Sequence, residues 1–137
     1  MRDTPALQWE PVMAITGLDH VNIRTTELAR TQAFFTEVLG LTVGWRPDFS
    51  FGGAWLYAGG KDVVHLVEVS RAGAASKGSS LDHFAFTIDD YDDARRRLEA
   101  AGVPYQASEA PNGGIRQFFV TEFNGVTFEL NCRASPE

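Results

Sequence analysis

Apolar and polar residues alternate along this chain in short runs, and a stretch with helical spacing interrupts them twice. From Leu18 the residues alternate with a period of two, as in a strand with one buried face. Thr25 and Thr26 can cap the helix that follows, and Gly40 ends it. Further β-rich runs cover residues 41–45, 54–58 and 63–69. The first half therefore predicts one strand, one helix and three more strands.

The same order of elements returns after a small polar segment rich in Gly, Ala and Ser. Alternation begins again at Leu81, Asp89 and Asp90 are placed to cap a helix, and Gly102 ends that helix. An extended segment and two strands joined by a turn are predicted at residues 103–106, 116–121 and 126–132.

Landmarks of the two halves recur at a nearly constant spacing. His20 recurs as His83, 63 residues later, and the helix-ending glycines lie 62 residues apart. From His20 to His65 is 45 residues, and from His83 to Glu129 is 46. We therefore predict an internal duplication. Its expected parts are an N-terminal extension (1–14) and a single domain (15–137), which divides into module one (18–69), a linker (70–80) and module two (81–132).

The composition narrows the classes of function. The 137 residues are 44% hydrophobic and 22% charged, as in one ordinary globular domain. The balance of 12 Lys and Arg against 18 Asp and Glu gives a net charge of −6, which argues against nucleic acid or membranes as partners. A single cysteine excludes an internal disulfide, and we expect a cytoplasmic protein. No apolar stretch is long enough to cross a membrane.

Of the four polar residues at repeated positions, strand parity places three on faces that do not pack against a helix; the four are His20, His65, His83 and Glu129. Side chains alternate across a strand, so His20 points away from the apolar residues under the first helix. The same parity holds for His83 and for Glu129 in the last strand. His65 has apolar neighbours on its own face, so parity leaves its direction open.

Two imidazoles and a carboxylate that converge in a partly apolar cup suit a divalent metal with open coordination positions. Iron, nickel, zinc and manganese are compatible with such donors, and a bound cation can accept two neighbouring substrate oxygens. A strand histidine alone is more often an ordinary polar residue. One repeat pattern nevertheless accounts for all three histidines and one glutamate. The predicted metal site is therefore His20, His83 and Glu129, with His65 as a fourth ligand or a general base.

Two loops are candidates for contact with a small-molecule substrate. Phe49, Phe51 and Trp55 surround a Gly-Gly pair and can line an apolar pocket, although core packing explains them equally well. Arg116 can meet an anionic group or remain an ordinary surface arginine. The chain contains no phosphate-binding glycine loop, hydrolase triad signature or zinc-finger spacing.

The chain resembles the vicinal oxygen chelate superfamily, which includes glyoxalase I, bleomycin-resistance proteins, fosfomycin-resistance enzymes and extradiol dioxygenases. The stretches that carry this resemblance are residues 17–21, 34–41, 63–66, 81–86 and 124–130. The resemblance implies an α+β fold of two tandem βαβββ modules. These modules form a cup-shaped mixed-sheet half-barrel with helices outside, commonly within a homodimer.

The resemblance also implies metal ligands at His20, His83 and Glu129, the trio that fosfomycin-resistance enzymes use. Glyoxalase I enzymes have a further ligand, typically glutamate, at the position that His65 occupies here. Bleomycin-resistance relatives lack the ligands and sequester a drug.

Our leading hypothesis is a metal-dependent, glyoxalase-like lyase or isomerase that chelates vicinal oxygens of a small organic substrate. His65 and Glu129 are its predicted catalytic residues. The alternatives are an extradiol-type dioxygenase, a thiol transfer to an epoxide, and a metal-independent small-molecule binding protein. Retention of every ligand position argues against the last of these.

Overall fold

The computed structural model describes residues 13–133, and the predicted extension over residues 1–14 lies almost wholly outside the described residues. The first half contains β1 (Val21–Thr25), α1 (Leu28–Ala33) with a π-helical continuation (Phe34–Val38), β2 (Thr42–Gly44), β3 (Gly53–Ala58) and β4 (Lys61–Glu68). The second half contains β5 (His83–Thr87), α2 (Tyr91–Ala100), β6 (Gln106–Glu109), a 3₁₀ turn (Pro111–Gly113), β7 (Ile115–Thr121) and β8 (Thr127–Arg133).

The strands form two four-stranded sheets with the same internal order, β1-β4-β3-β2 and β5-β8-β7-β6. The first strand of each half runs parallel to the last, and the remaining pairs are antiparallel. Both sheets are therefore mixed, and the predicted α+β class is confirmed. In the described part of the chain, β1 and β5 each lie at an open edge of their own sheet.

Local sequence explains where the two helices begin and end. Asp90 caps α2 as predicted, because its Oδ1 accepts the backbone N–H of Asp93 at 2.9 Å. Gly40 and Gly102 follow the two helical segments with φ of +81° and +68°, a conformation that glycine adopts without strain. The predicted caps Thr25 and Thr26 do not cap α1, whose N-cap residue is Glu27; Thr25 Oγ1 instead accepts the N–H of Glu27 at 3.0 Å.

Strand β6 differs from the prediction of an extended segment at residues 103–106. Pairing with β7 begins only at Gln106, opposite Phe119, and continues to Glu109. Pro104 has no backbone N–H and cannot donate to a sheet ladder, so the ladder starts after it. No helix within residues 13–133 has the length and apolar character needed to span a membrane.

Aromatic side chains join the two halves in one core. Phe34 and Phe35 of the first helical segment lie against Phe128, at ring-centroid distances of 6.1 and 6.0 Å. Phe35 and Phe128 are both completely buried. Phe128 is adjacent to Glu129 in β8, so the two halves pack on the face of the second sheet opposite Glu129.

A polar network supports the same junction. The Glu122 carboxylate accepts the backbone N–H groups of Asn124 and Val126 at 2.8 and 3.1 Å and the Asn124 side-chain amide at 2.8 Å. Asn124 Nδ2 also donates to Thr31 Oγ1 at 3.0 Å, across the junction. Burial raises the pKa of Glu122, and these N–H donors act in the opposite direction.

Replacement of Glu122 by alanine is expected to lower the free energy of unfolding by about 1–3 kcal/mol, because three partly buried donors lose their acceptor. Urea unfolding of both proteins measures this difference. Glu37→Ala, at an exposed site, is the matched control and should change stability by less than about 0.5 kcal/mol. Equal effects at the two sites would contradict the assigned role of Glu122.

Candidate metal centre

His20, the first member of one pair of candidate ligands, lies at the open edge of the first sheet. His20 directly precedes β1, and its Nδ1 is 2.7 Å from Asp19 Oδ1. Asp19 also forms an ion pair with Lys61 at 3.2 Å. The hydrogen bond with His20, followed by that with Lys61, lowers the pKa of Asp19. An ionised carboxylate only accepts hydrogen bonds, so His20 Nδ1 carries the proton and Nε2 is the nitrogen left for a ligand.

His65 is buried within a stack of rings beside His20. It lies in β4 opposite Trp55 of β3, and its ring stacks on His20 at 3.7 Å and on Trp55 at 3.9 Å between centroids. Its Nε2 is 2.6 Å from Asp62 Oδ2. This hydrogen bond is the main cause that lowers the pKa of Asp62 to about 2. Asp62 is therefore an ionised acceptor, and Nδ1 is the ring nitrogen of His65 left for other chemistry.

The second pair of candidate ligands lies on the open face of the second sheet. His83 Nδ1 is 2.7 Å from Asp82 Oδ1, and its Nε2 is 2.5 Å from Glu129 Oε2. The hydrogen bond with Asp82 raises the pKa of His83, and the charge of Glu129 acts in the same direction. Glu129 Oε1 accepts the Gln117 amide at 2.7 Å. The pair is thus in direct contact and held by neighbouring polar groups.

The structure assembles the four predicted residues as two separate pairs. His20 contacts His65, and His83 contacts Glu129. Over residues 13–133, no group of three or more His, Cys, Asp or Glu side chains is arranged to hold a metal ion. The two halves pack through the helix-covered face of the second sheet, which keeps the pairs apart within one chain.

Three aspartates were missed by sequence reasoning. Asp19 and Asp82 hold the Nδ1 atoms of the two strand-initial histidines, and Asp62 holds His65. The repeated Asp-His dipeptide was available as a signal, but it served only as a landmark of the duplication. Carboxylates in this position fix the tautomer and the orientation of a ligating imidazole.

The donor set fits a divalent metal. Nδ1 of His20 and Nδ1 of His83 are each bonded to a carboxylate, so Nε2 is the atom through which each ring would bind a metal. Glu129 supplies a carboxylate beside His83. Two imidazoles and one carboxylate with open positions form a recurrent arrangement for divalent transition metals.

A cavity of about 590 Å³ opens beside His83. Its lining combines polar and apolar groups, among them Lys77, Tyr105, Gln106 and Phe119. Another cavity, of about 540 Å³, lies between the two halves and contains none of the four candidate ligands. The first cavity is therefore the one relevant to a reaction at His83.

Arg116 does not face that cavity. Its guanidinium lies over the Tyr91 ring at 3.8 Å, and β7 alternates so that Gln117 points to the Glu129 side. Lys77 is the cation that lines this cavity instead; it lies in the linker, where no pattern in the sequence indicates a functional residue.

Two curated enzymes are similar to most of this chain. The chain is 28% identical over 119 residues to the glutathione transferase FosA of Serratia marcescens, covering 85% of this chain and 81% of FosA. It is 30% identical over 127 residues to the lactoylglutathione lyase GLX1 of Arabidopsis thaliana, covering 86% of this chain. The matched region spans 45% of the length of GLX1.

A solved structure has the same fold. A mutant of the fosfomycin resistance protein FosX from Listeria monocytogenes, complexed with Mn(II) and 1S,2S-dihydroxypropylphosphonic acid, superposes with a TM-score of 0.71. It is 19% identical and covers 88% of this chain and 95% of its own. Residues 17–130 match the model of the Glyoxalase/Bleomycin resistance protein/Dioxygenase superfamily. The chain belongs to this superfamily, the group of vicinal oxygen chelate proteins.

Proposed function

We propose that the protein is a metal-dependent enzyme of the lyase or isomerase type that acts on a small organic substrate through two vicinal oxygens. The observation that supports it best is the repeated Asp-His arrangement, in which Nδ1 of His20 and of His83 is bound to a carboxylate. His20, His83 and Glu129 would hold the metal. Bound there, a divalent cation would polarise the substrate oxygens and stabilise negative charge on them.

The site is completed by a second copy of the chain. Within one copy the two pairs of donors lie apart, and His83 with Glu129 lacks a third protein ligand among the described residues. Strands β1 and β5 are open edges able to pair with another copy. Leu18 and Leu81, equivalent residues beside these edges, are 81% and 77% exposed, which favours their burial in a homodimer.

The residues around the metal have separate roles in this proposal. Asp19 and Asp82 hold the ligating rings in one orientation. His65 acts as the general base rather than as a ligand, because its ring is stacked flat between His20 and Trp55 and two parallel imidazoles cannot both aim a nitrogen at one metal ion. A substrate proton would be taken at His65 Nδ1, and Trp55 shields the ring from water.

An extradiol-type dioxygenase is the second candidate, because two histidines and one carboxylate are the ligand set of non-haem iron(II) oxygenases. Oxygen uptake by the iron(II)-loaded protein with a catechol would favour the dioxygenase over the isomerase. The proposed location is the cytoplasm, because a chain with one cysteine forms no internal disulfide.

Elemental analysis after purification without chelators tests the proposal. We expect about one divalent metal ion per chain. Removal by a chelator should abolish turnover of a substrate panel that includes lactoylglutathione and fosfomycin with glutathione, and return of the metal should restore it. A protein that purifies without metal and then binds neither nickel, iron, zinc nor manganese would contradict the proposal.

A further inference from the structure

The stack of rings at the first pair of ligands continues into an exposed aromatic cluster. Trp55, which stacks on His65 at 3.9 Å, has Trp45 edge-on at 5.8 Å and Phe49 at 6.4 Å. Phe49 in turn stacks on Phe51 at 4.9 Å. We call Trp45, Phe49, Phe51 and Trp55 the aromatic row. It begins at the candidate metal site and ends in the β2–β3 loop.

Most of this row is exposed although it is apolar. Trp45 is 71% exposed, and Phe49 and Phe51 are 41% and 46% exposed. Exposed apolar surface of this extent is uncommon unless it contacts something. The row adjoins His65 directly, so a molecule bound at the metal would reach it.

The backbone of the row is closely packed. A Cβ at Gly53 would lie 2.2 Å from the Leu66 carbonyl oxygen, so only glycine permits this approach of the first residue of β3 to β4. Tyr57 Oη donates to the Trp45 carbonyl oxygen at 2.5 Å. The position of Trp45 is therefore fixed by its backbone, and its ring remains open to solvent.

The β2–β3 loop also contains a cation, Arg46, which interacts with other residues of the loop. Arg46 Nη2 donates to the Phe51 carbonyl oxygen at 2.7 Å, and its guanidinium lies 5.0 and 5.2 Å from the Phe49 and Phe51 ring centres. Arg46 thus supports the two phenyl rings. Because one nitrogen of its guanidinium is bonded within the loop, the surface next to His65 is mainly aromatic.

We propose that the aromatic row binds a planar, apolar group of the substrate, preferably an aromatic ring, attached to the carbon atoms that bear the vicinal oxygens. This inference rests on the proposed function, which places the oxygens at the metal. Aromatic rings favour offset and edge-on contacts at about 4.5–7 Å between centroids. Trp45 and Trp55 are perpendicular to each other, so a substrate ring beside them would stack on one and meet the other edge-on.

A matched pair of 2-hydroxy acids tests this specificity. Mandelate and lactate present the same hydroxyl and carboxylate oxygens. Mandelate has a phenyl group where lactate has a methyl group. Calorimetry on the metal-loaded protein should show mandelate binding about tenfold more tightly than lactate. In Trp45→Ala this ratio should fall to about twofold, whereas Trp45→Phe should keep most of it. Phe123→Ala removes an aromatic residue of similar exposure (42%) outside the row and should leave the ratio unchanged.

Results that show no role of the row in binding would overturn the inference. Equal binding of the two acids, binding of neither, or an unchanged ratio in Trp45→Ala would exclude the row as a substrate surface. Loss of the dimer in Trp45→Ala without a change in the ratio would assign the row to a second copy. Absence of metal with a retained preference for mandelate would contradict the proposed function alone.

Discussion

Replacement of His83 by alanine is expected to remove the metal and the activity together. His83 Nε2 contacts Glu129, and its Nδ1 is bonded to Asp82. The variant therefore removes one of the two proposed metal ligands of the His83–Glu129 pair. Loss of an outer-shell partner already costs roughly 10–100-fold in metal affinity, and loss of a ligand should cost at least 100-fold. Elemental analysis and a competition titration with a fluorescent chelator measure the change.

His65→Gln is the contrasting variant for this experiment. If His65 is the base, the variant should keep its metal within about twofold while turnover falls by roughly 10²–10⁴-fold. Loss of metal in His65→Gln to the same extent as in His83→Ala would make His65 a ligand instead. Retention of full metal content by His83→Ala would contradict the assigned ligand set.

Much of the fold was predictable from local patterns. Period-two alternation identified the strands around the candidate ligands, and Gly40 and Gly102 ended the helical segments where their positive φ angles occur. The capping role of Asp90 was equally evident, because the signal lies within one helical turn. Parity also separated the Glu129 face from the Phe128 face of β8.

The arrangement of the candidate site was less predictable because it depends on contacts between distant segments. The stack of His20, His65 and Trp55 joins the residue before β1 to residues of β4 and β3, and no periodicity within one strand indicates it. The repeat indicated which residues are equivalent, but whether equivalent faces meet is decided by packing. Here Phe34 and Phe35 cover the face opposite Glu129, so the donors remain in pairs.

A mixed dimer of two inactive variants, His20→Ala and His83→Ala, is expected to be active. In a His20→Ala chain paired with a His83→Ala chain, one site would lack both histidines. The other would combine the intact His83–Glu129 pair of one copy with the intact His20 of the other. Each variant alone, in contrast, has one histidine missing from every site. A reciprocal control joins a chain with both substitutions to an unaltered chain, where every shared site would lack one histidine.

The measurement is the metal content and turnover of these mixed dimers, purified through two different affinity tags. A site shared between copies predicts about half of the unaltered protein's metal and activity for His20→Ala with His83→Ala, and almost none for the reciprocal control. The opposite pattern, with background activity in the first dimer and half in the control, would show that each chain completes its own site. That result would contradict the shared metal centre.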